Sequence, residues 1–164
     1  MNANVIIRPN RGFLFAHPAH FIALGFGTGL LPAPGTIGTL VAFPLYVLLD
    51  RWLSALWLAI VIAALFVLGV WACERTGRAL GIADHGAMNW DEIVSFLAVL
   101  MLAPPGLAWQ TSAFFAFRFF DVVKPPPIRY YDRTIKSGFG VMLDDAIAAF
   151  YTLLVLAIAK RLLG

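Results

Sequence analysis

Apolar residues in this chain come in long uncharged blocks, with charged positions gathered at the seams between them. Residues 52–73 run uncharged between Arg51 and Glu74, and residues 93–117 run uncharged between Glu92 and Arg118. Residues 12–49 carry no charge beyond two histidines, and 146–159 form a further apolar block. About twenty apolar residues without charge are what a helix needs to cross the hydrocarbon core of a bilayer. The pattern therefore predicts an all-α fold, a compact polytopic membrane bundle of about five helices.

Helix breakers divide the blocks. Residues 41–49 are short for a span and must borrow length from what precedes them. Residues 51–54 read as a tight turn and 55–73 as the clearest transmembrane helix. Residues 74–89 are polar, with DHGAMN (84–89) a loop and Trp90 opening the next helix. The APPG at 103–106 interrupts the long apolar run, so 93–102 and 107–120 become two antiparallel helices joined by a hairpin. Three consecutive prolines punctuate the polar stretch 121–138, and a last helix starts at Phe139. Residues 1–19 read as a tail and an interfacial segment containing FLFAHPAHF, and residues 20–164 as a single membrane-embedded catalytic domain. No internal repeat is evident.

One stretch breaks the apolar pattern. GFGTGLLPAPGTIGT (25–39) spends five glycines, three threonines and two prolines just before a helix-like run. Glycine lets backbone approach a ligand closely, so the stretch reads as a re-entrant loop offering the amides of Gly29 and Gly35 and the hydroxyls of Thr28 and Thr36 to a phosphate or lipid glycerol. Small residues that merely let helices pack closely are the alternative.

Composition narrows the classes. The chain is 61% hydrophobic and 13% charged, with mean hydropathy +0.84, which is membrane-protein territory. A net charge of +3 without a basic face interleaved with aromatics argues against nucleic acid and fits contact with anionic lipid headgroups. A cleavable signal peptide is an alternative for the N-terminus, but cleavage would remove part of the Gly-rich stretch. Counting crossings puts the Gly-rich stretch and the two long polar seams on one side, with nine of twelve basic residues. Only Arg51, Lys160 and Arg161 fall on the other. The positive-inside rule makes the polar side cytoplasmic. The lone Cys73, at the end of an apolar run, is placed for packing.

Acidic residues carry the sharpest chemical signal. Seven of the nine lie between 84 and 145: Asp84, Asp91, Glu92, Asp121, Asp132, Asp144 and Asp145. WDE (90–92) and LDD (143–145) each set two neighbouring carboxylates where a helix meets the membrane surface. Crowded carboxylates in poorly solvating surroundings call for a cation, and Mg²⁺ suits an all-oxygen site. Asp84, Asp91, Glu92, Asp144 and Asp145 are thus the candidate metal ligands, against the plainer reading of helix-capping acids paired with arginines. Arg118, Asp121 and Lys124, spaced by three, share a helix face as a phosphate clamp or as an ion-pair ladder. Arg133 joins the candidate substrate- and phosphate-binding residues, and Arg133 and Lys136 would serve equally as anionic-lipid contacts. His85 is either a general acid or an ordinary loop residue. Arg78 falls one residue short of a Cys-x5-Arg loop after Cys73, and no Walker lysine follows the glycines.

In order and spacing, GFGTGLLPAPGTIGTL, DHGAMNWDEIV, FRFFDVVKPPPIRYYDR and SGFGVMLDDAIA closely resemble the motifs of bacterial phosphatidylglycerophosphatase A. That resemblance covers about residues 25–149. It implies an inner-membrane, Mg²⁺-dependent enzyme that removes the terminal phosphate of phosphatidylglycerophosphate, with the WDE and LDD carboxylates on the metal, Asp121 in the catalytic set and Arg118 and Lys124 on phosphate. Ser95 and Ala149 stand where the family favours glycine, which touches helix packing more than chemistry. A small transporter, or a lipid-binding subunit without catalysis, remains open at this point.

Overall fold

A helix that is apolar on every side has to be wrapped by others, and the segment opening at Trp90 is that helix. In the computed structural model, which describes residues 7–163, the chain forms α1 (Arg11–Ala16), α2 (Pro18–Ala23), a 3₁₀ segment (Gly25–Leu30), α3 (Pro34–Trp52), α4 (Ala55–Leu80), α5 (Trp90–Leu102), α6 (Leu107–Val123), α7 (Ile128–Thr134) and α8 (Gly138–Leu163). Helix accounts for 80% of the structure, and no strand occurs among the described residues. From Trp90 to Leu100 every α5 residue but Ala98 is buried. Around it stand α3, α4 and α8, with α6 against α8 and α2 against α4. Phe96 sits at the centre, its ring 5.2 Å from Phe43 of α3 and 5.3 Å from Phe117 of α6.

Nine helical segments occur among the described residues against the five expected in the bundle: beside the longer α3, α4, α5, α6 and α8, short helices fill stretches read as loop or tail. The Gly-rich stretch divides in two. Residues 25–30 wind as 3₁₀ turns with positive φ at Gly25, Phe26 and Gly27, while Pro34, placed where a helix needs no amide donor, starts α3 seven residues before position 41. Past Cys73, α4 continues to Leu80. Glu74 and Arg78 pair one turn apart at 2.6 Å, Thr76, Gly77 and Leu80 are buried, and Gly81 ends the helix at φ 82°. The APPG hairpin is present, separating α5 from α6. The tail at residues 1–6 lies outside the described residues.

Two helices, α4 and α8, are long and apolar enough to cross a membrane. Their outward side chains are apolar too: Trp57, Val67 and Trp71 on α4, and Phe150, Ile158 and Leu162 on α8 are all exposed. Such a belt is costly in water and natural in lipid. The two helices approach closely because Gly138 has no side chain. A Cβ there would collide with the Val70 carbonyl and the Glu74 amide, which are backbone and cannot move aside. We expect Gly138→Ala to lower stability by about 1–3 kcal/mol, the usual effect of overpacking. Gly86→Ala, whose Cβ meets open space, should leave it unchanged. Thermal unfolding in detergent checks both, and equal midpoints would refute the close α4–α8 contact.

Candidate functional site

Local sequence places the acids. Asn89, fully buried ahead of α5, donates to the Thr28 hydroxyl and to the Pro34 carbonyl, each at 2.9 Å, while its own amide donates to the Ala23 carbonyl at 3.0 Å. These bonds tie the start of α5 to both halves of the Gly-rich stretch. The Trp90 indole donates to the Leu65 carbonyl of α4 at 3.1 Å, fixing the other side. Asp91 and Glu92 then fall in the first turn of α5, where the exposed amide dipoles favour negative charge. On α8 the first amide, that of Gly138, donates to Glu74 at 2.6 Å, and Asp144 and Asp145 follow within two turns.

Together these anchors gather carboxylate oxygens of Asp91, Glu92 and Asp145 within 4.8 Å of one another. They face a cavity of about 330 Å³ walled by Pro34, Gly35 and Thr36 of α3, by Asp84 and Gly86 of the preceding loop, and by Arg118, Asp121 and Lys124 at the end of α6. Six carboxylates and two cations line it, an excess of four negative charges when all ionise. Arg118 binds Asp121 one turn on and lies 3.6 Å from Glu92. Lys124, held in the left-handed region at φ 46°, reaches Asp132 at 3.0 Å, Asp144 at 3.2 Å and Asp84 at 3.8 Å. Burial opposes its charge, but the hydrogen bond to Asp132 and the nearby Asp144 and Asp84 prevail and hold the ammonium above the usual lysine range.

Of the four residues of the Gly-rich stretch read as phosphate contacts, Gly35 and Thr36 line the cavity, whereas Thr28 and Gly29 serve the scaffold. The Thr28 hydroxyl donates to the Gly25 carbonyl, and Gly29 packs against the Ala87 carbonyl. Arg133 is exposed on α7 and does not line the cavity. Asp84 and Asp144 line it but turn to Lys124, outside the three-carboxylate cluster. His85 faces a neighbouring cavity with Arg8 and Gly29. Burial lowers its pKa and favours the neutral ring, and Nδ1 accepts from the Ala87 amide at 3.1 Å. Cys73 is fully buried, in keeping with packing. Sequence reading gave no role to Asn89 or Asp132. A lone asparagine directly before a buried acidic helix start was the available signal for the first. The second needed the fold, which brings α7 to Lys124.

The donor set fits a divalent cation. It is all oxygen, and Asp91 Oδ1, Glu92 Oε2, Asp144 Oδ1 and Asp145 Oδ2 are buried with no hydrogen-bond partner. Buried acceptors left this way cost about 1–3 kcal/mol each or more when charged, so a ligand that satisfies several at once binds where nothing else competes.

Known proteins resemble the chain over most of its length. Residues 21–160 match the family model described as phosphatidylglycerophosphatase A. A Haemophilus influenzae protein of that name is 44% identical over 150 residues, covering 90% of this chain and 91% of its own. One from Escherichia coli is 38% identical over 135 residues, covering 81% and 78%. A Bacteroides thetaiotaomicron protein provisionally named a phosphatidylinositol-3-phosphatase is 36% identical over 152 residues, covering 87% and 94%. No solved structure matches the chain.

Gly35 offers a direct test of the cavity. A Cβ there would strike the Glu92 carboxylate and lie about 3 Å from both terminal Arg118 nitrogens, at 2.9 and 3.0 Å. We expect Gly35→Ala to lower phosphatase turnover by about a hundredfold, the scale on which misplaced reacting groups act, with little change in thermal stability. Normal turnover would show that this cavity is not where the reaction occurs.

Proposed function

Because the chain belongs to the phosphatidylglycerophosphatase A family, we propose that its carboxylate cavity hydrolyses the terminal phosphomonoester of phosphatidylglycerophosphate to phosphatidylglycerol and phosphate. One observation carries the catalytic assignment: three buried carboxylates with unpartnered oxygens stand beside two cations in a single cavity. Asp91, Glu92 and Asp145 hold Mg²⁺, with Asp144 and Asp84 at its margin. When bound, that ion supplies Lewis-acid polarisation of the phosphoryl group and acidifies water. Arg118 and Lys124 offset charge on the transferring phosphoryl group. Asp121 orients Arg118, and Asp132 and Asp144 orient Lys124. Gly35 and Thr36 leave room for the headgroup.

In this reading residues 20–164 are one membrane-embedded unit and 1–19 a tail with an interfacial segment. The five longer helices, α3, α4, α5, α6 and α8, are the membrane set. The Gly-rich stretch reaches the cavity through Pro34, Gly35 and Thr36 at the start of α3, without a re-entrant loop. Crossing parity and the basic bias put that mouth at the cytoplasmic face of a bacterial inner membrane. The acids lie toward one end of the bundle, where a charged headgroup reaches them without crossing hydrocarbon, which favours an enzyme over a transporter.

Phosphate release from phosphatidylglycerophosphate by detergent-solubilised protein, with and without EDTA, tests the activity. We expect EDTA to abolish it and Mg²⁺ to restore it. Asp91→Asn, Glu92→Gln and Asp145→Asn should each reduce turnover at least about a hundredfold and raise the Mg²⁺ concentration needed. Asp144→Asn should mainly raise KM, since its partner is Lys124. Wild-type Mg²⁺ dependence in the first three variants would remove them from the metal site.

Orientation is tested by single cysteines in a Cys73→Ser background, which should stay active because the thiol only packs. Cysteines at Ala83 or Ser137 should resist an impermeant maleimide in intact cells and react in inverted vesicles, with Ser54 behaving oppositely. Labelling of Ala83 and Ser137 from different faces would break the shared site.

A further inference from the structure

A second amphipathic groove, of about 790 Å³, follows the outer seam of α4 and α8 and shares no lining residue with the carboxylate cavity. Val67, Val70 and Trp71 of α4 and Phe139 of α8 make it apolar along its length, and Arg75 and Arg78 stand at its polar end. The two arginines differ. Glu74 neutralises Arg78 at 2.6 Å, whereas Arg75 is exposed and has no ion-pair partner among the described residues. Eight residues of helix separate Val67 from Arg75, a rise of about 12 Å. The groove is thus an apolar trough on a helix long and apolar enough to cross a membrane, ending in one cation without an ion-pair partner among the described residues.

A ligand that matches it has a hydrocarbon chain and one net negative charge. A zwitterionic phospholipid meets Arg75 with its phosphate but brings its own cation to the same place. An anionic phospholipid keeps a net negative charge there, even where its headgroup also carries an ammonium group. We propose that this groove is a binding site for an anionic phospholipid distinct from the substrate, with one acyl chain along Val67, Val70 and Trp71 and its phosphodiester on Arg75. It adds to the hydrolytic reading, on which it rests, a second lipid site lined by α4, which contributes no residue to the carboxylate cavity. Glu74, which borders the groove, also holds the first amide of α8, the helix that carries Asp144 and Asp145.

The test counts lipids retained by the full-length protein in neutral detergent, by native mass spectrometry, with phosphatidylserine or phosphatidylcholine supplied. Phosphatidylserine has no phosphomonoester and is not the product, so it does not report on the carboxylate cavity. Wild-type protein should retain phosphatidylserine in preference. Arg75→Gln should erase that preference, about a fivefold loss, as expected for one basic residue at an anionic lipid surface. Val67→Trp, at a side chain already 69% exposed, should fill the trough and reduce retention of both lipids. Unchanged phosphatidylserine retention in Arg75→Gln overturns the site, whatever Val67→Trp does. Hydrolysis of phosphatidylglycerophosphate is measured on the same samples and should persist in both variants, so failure of the catalytic reading would be seen separately.

Discussion

Three carboxylates held within 4.8 Å, at the buried end of a helix, are the constraint on which the rest of the structure depends. Left to themselves they would separate, because like charges in a poorly solvating medium repel strongly. Everything near them resists that separation. Asn89 ties the start of α5 to the Gly-rich stretch, the Trp90 indole ties it to α4, and Glu74 holds the first amide of α8. Two cations reach in from the end of α6, each already engaged by an acid of its own. A cluster so restrained trades stability for a place that a hard cation can occupy.

Sequence made the helical class, the APPG hairpin and the acid-rich seam legible, because each rests on local signals: uncharged length, breakers and the spacing of charges. Gly35, Thr36, Arg118 and Lys124, read from the sequence as phosphate contacts, and Asp121, read as catalytic, all line the carboxylate cavity. Reading went astray where local polarity was overridden by tertiary packing. Glu74 and Arg75 open a polar seam after the apolar run, yet burial of Thr76, Gly77 and Leu80 carries α4 past them. The Gly-rich stretch looks uniform, but Pro34 splits it into strained turns and a helix start. Which acid faces which cation was not readable at all. Asp144 and Asp145 are neighbours in sequence with opposite assignments, since adjacent helical residues point about 100° apart.

Glycine serves two separate purposes around the site. At Gly35 its bare backbone leaves the Glu92 carboxylate and the Arg118 guanidinium in place. At Gly138 it lets two long helices touch backbone to backbone, setting the height of α8 against α4 and hence of Asp145 against Asp91. A loss at either would look similar in an activity assay, but only the second would also loosen the bundle.

The shortness of α5 bears on the surrounding lipid. Its 13 residues rise about 20 Å, well under the roughly 30 Å of a bilayer's hydrocarbon core, for which the 26-residue α4 and α8 are long enough with length to spare. Because α5 is wrapped by α3, α4 and α8 rather than by lipid, its shortness leaves the acidic end recessed inside the bundle instead of thinning the leaflets. With α4 and α8 spanning the bilayer, as proposed, a headgroup at the site would sit lower than its neighbours in the bilayer plane. Membrane thickness would thereby become a mechanical variable of the reaction: each added ångström of hydrocarbon would raise the work of drawing a headgroup down to the acids.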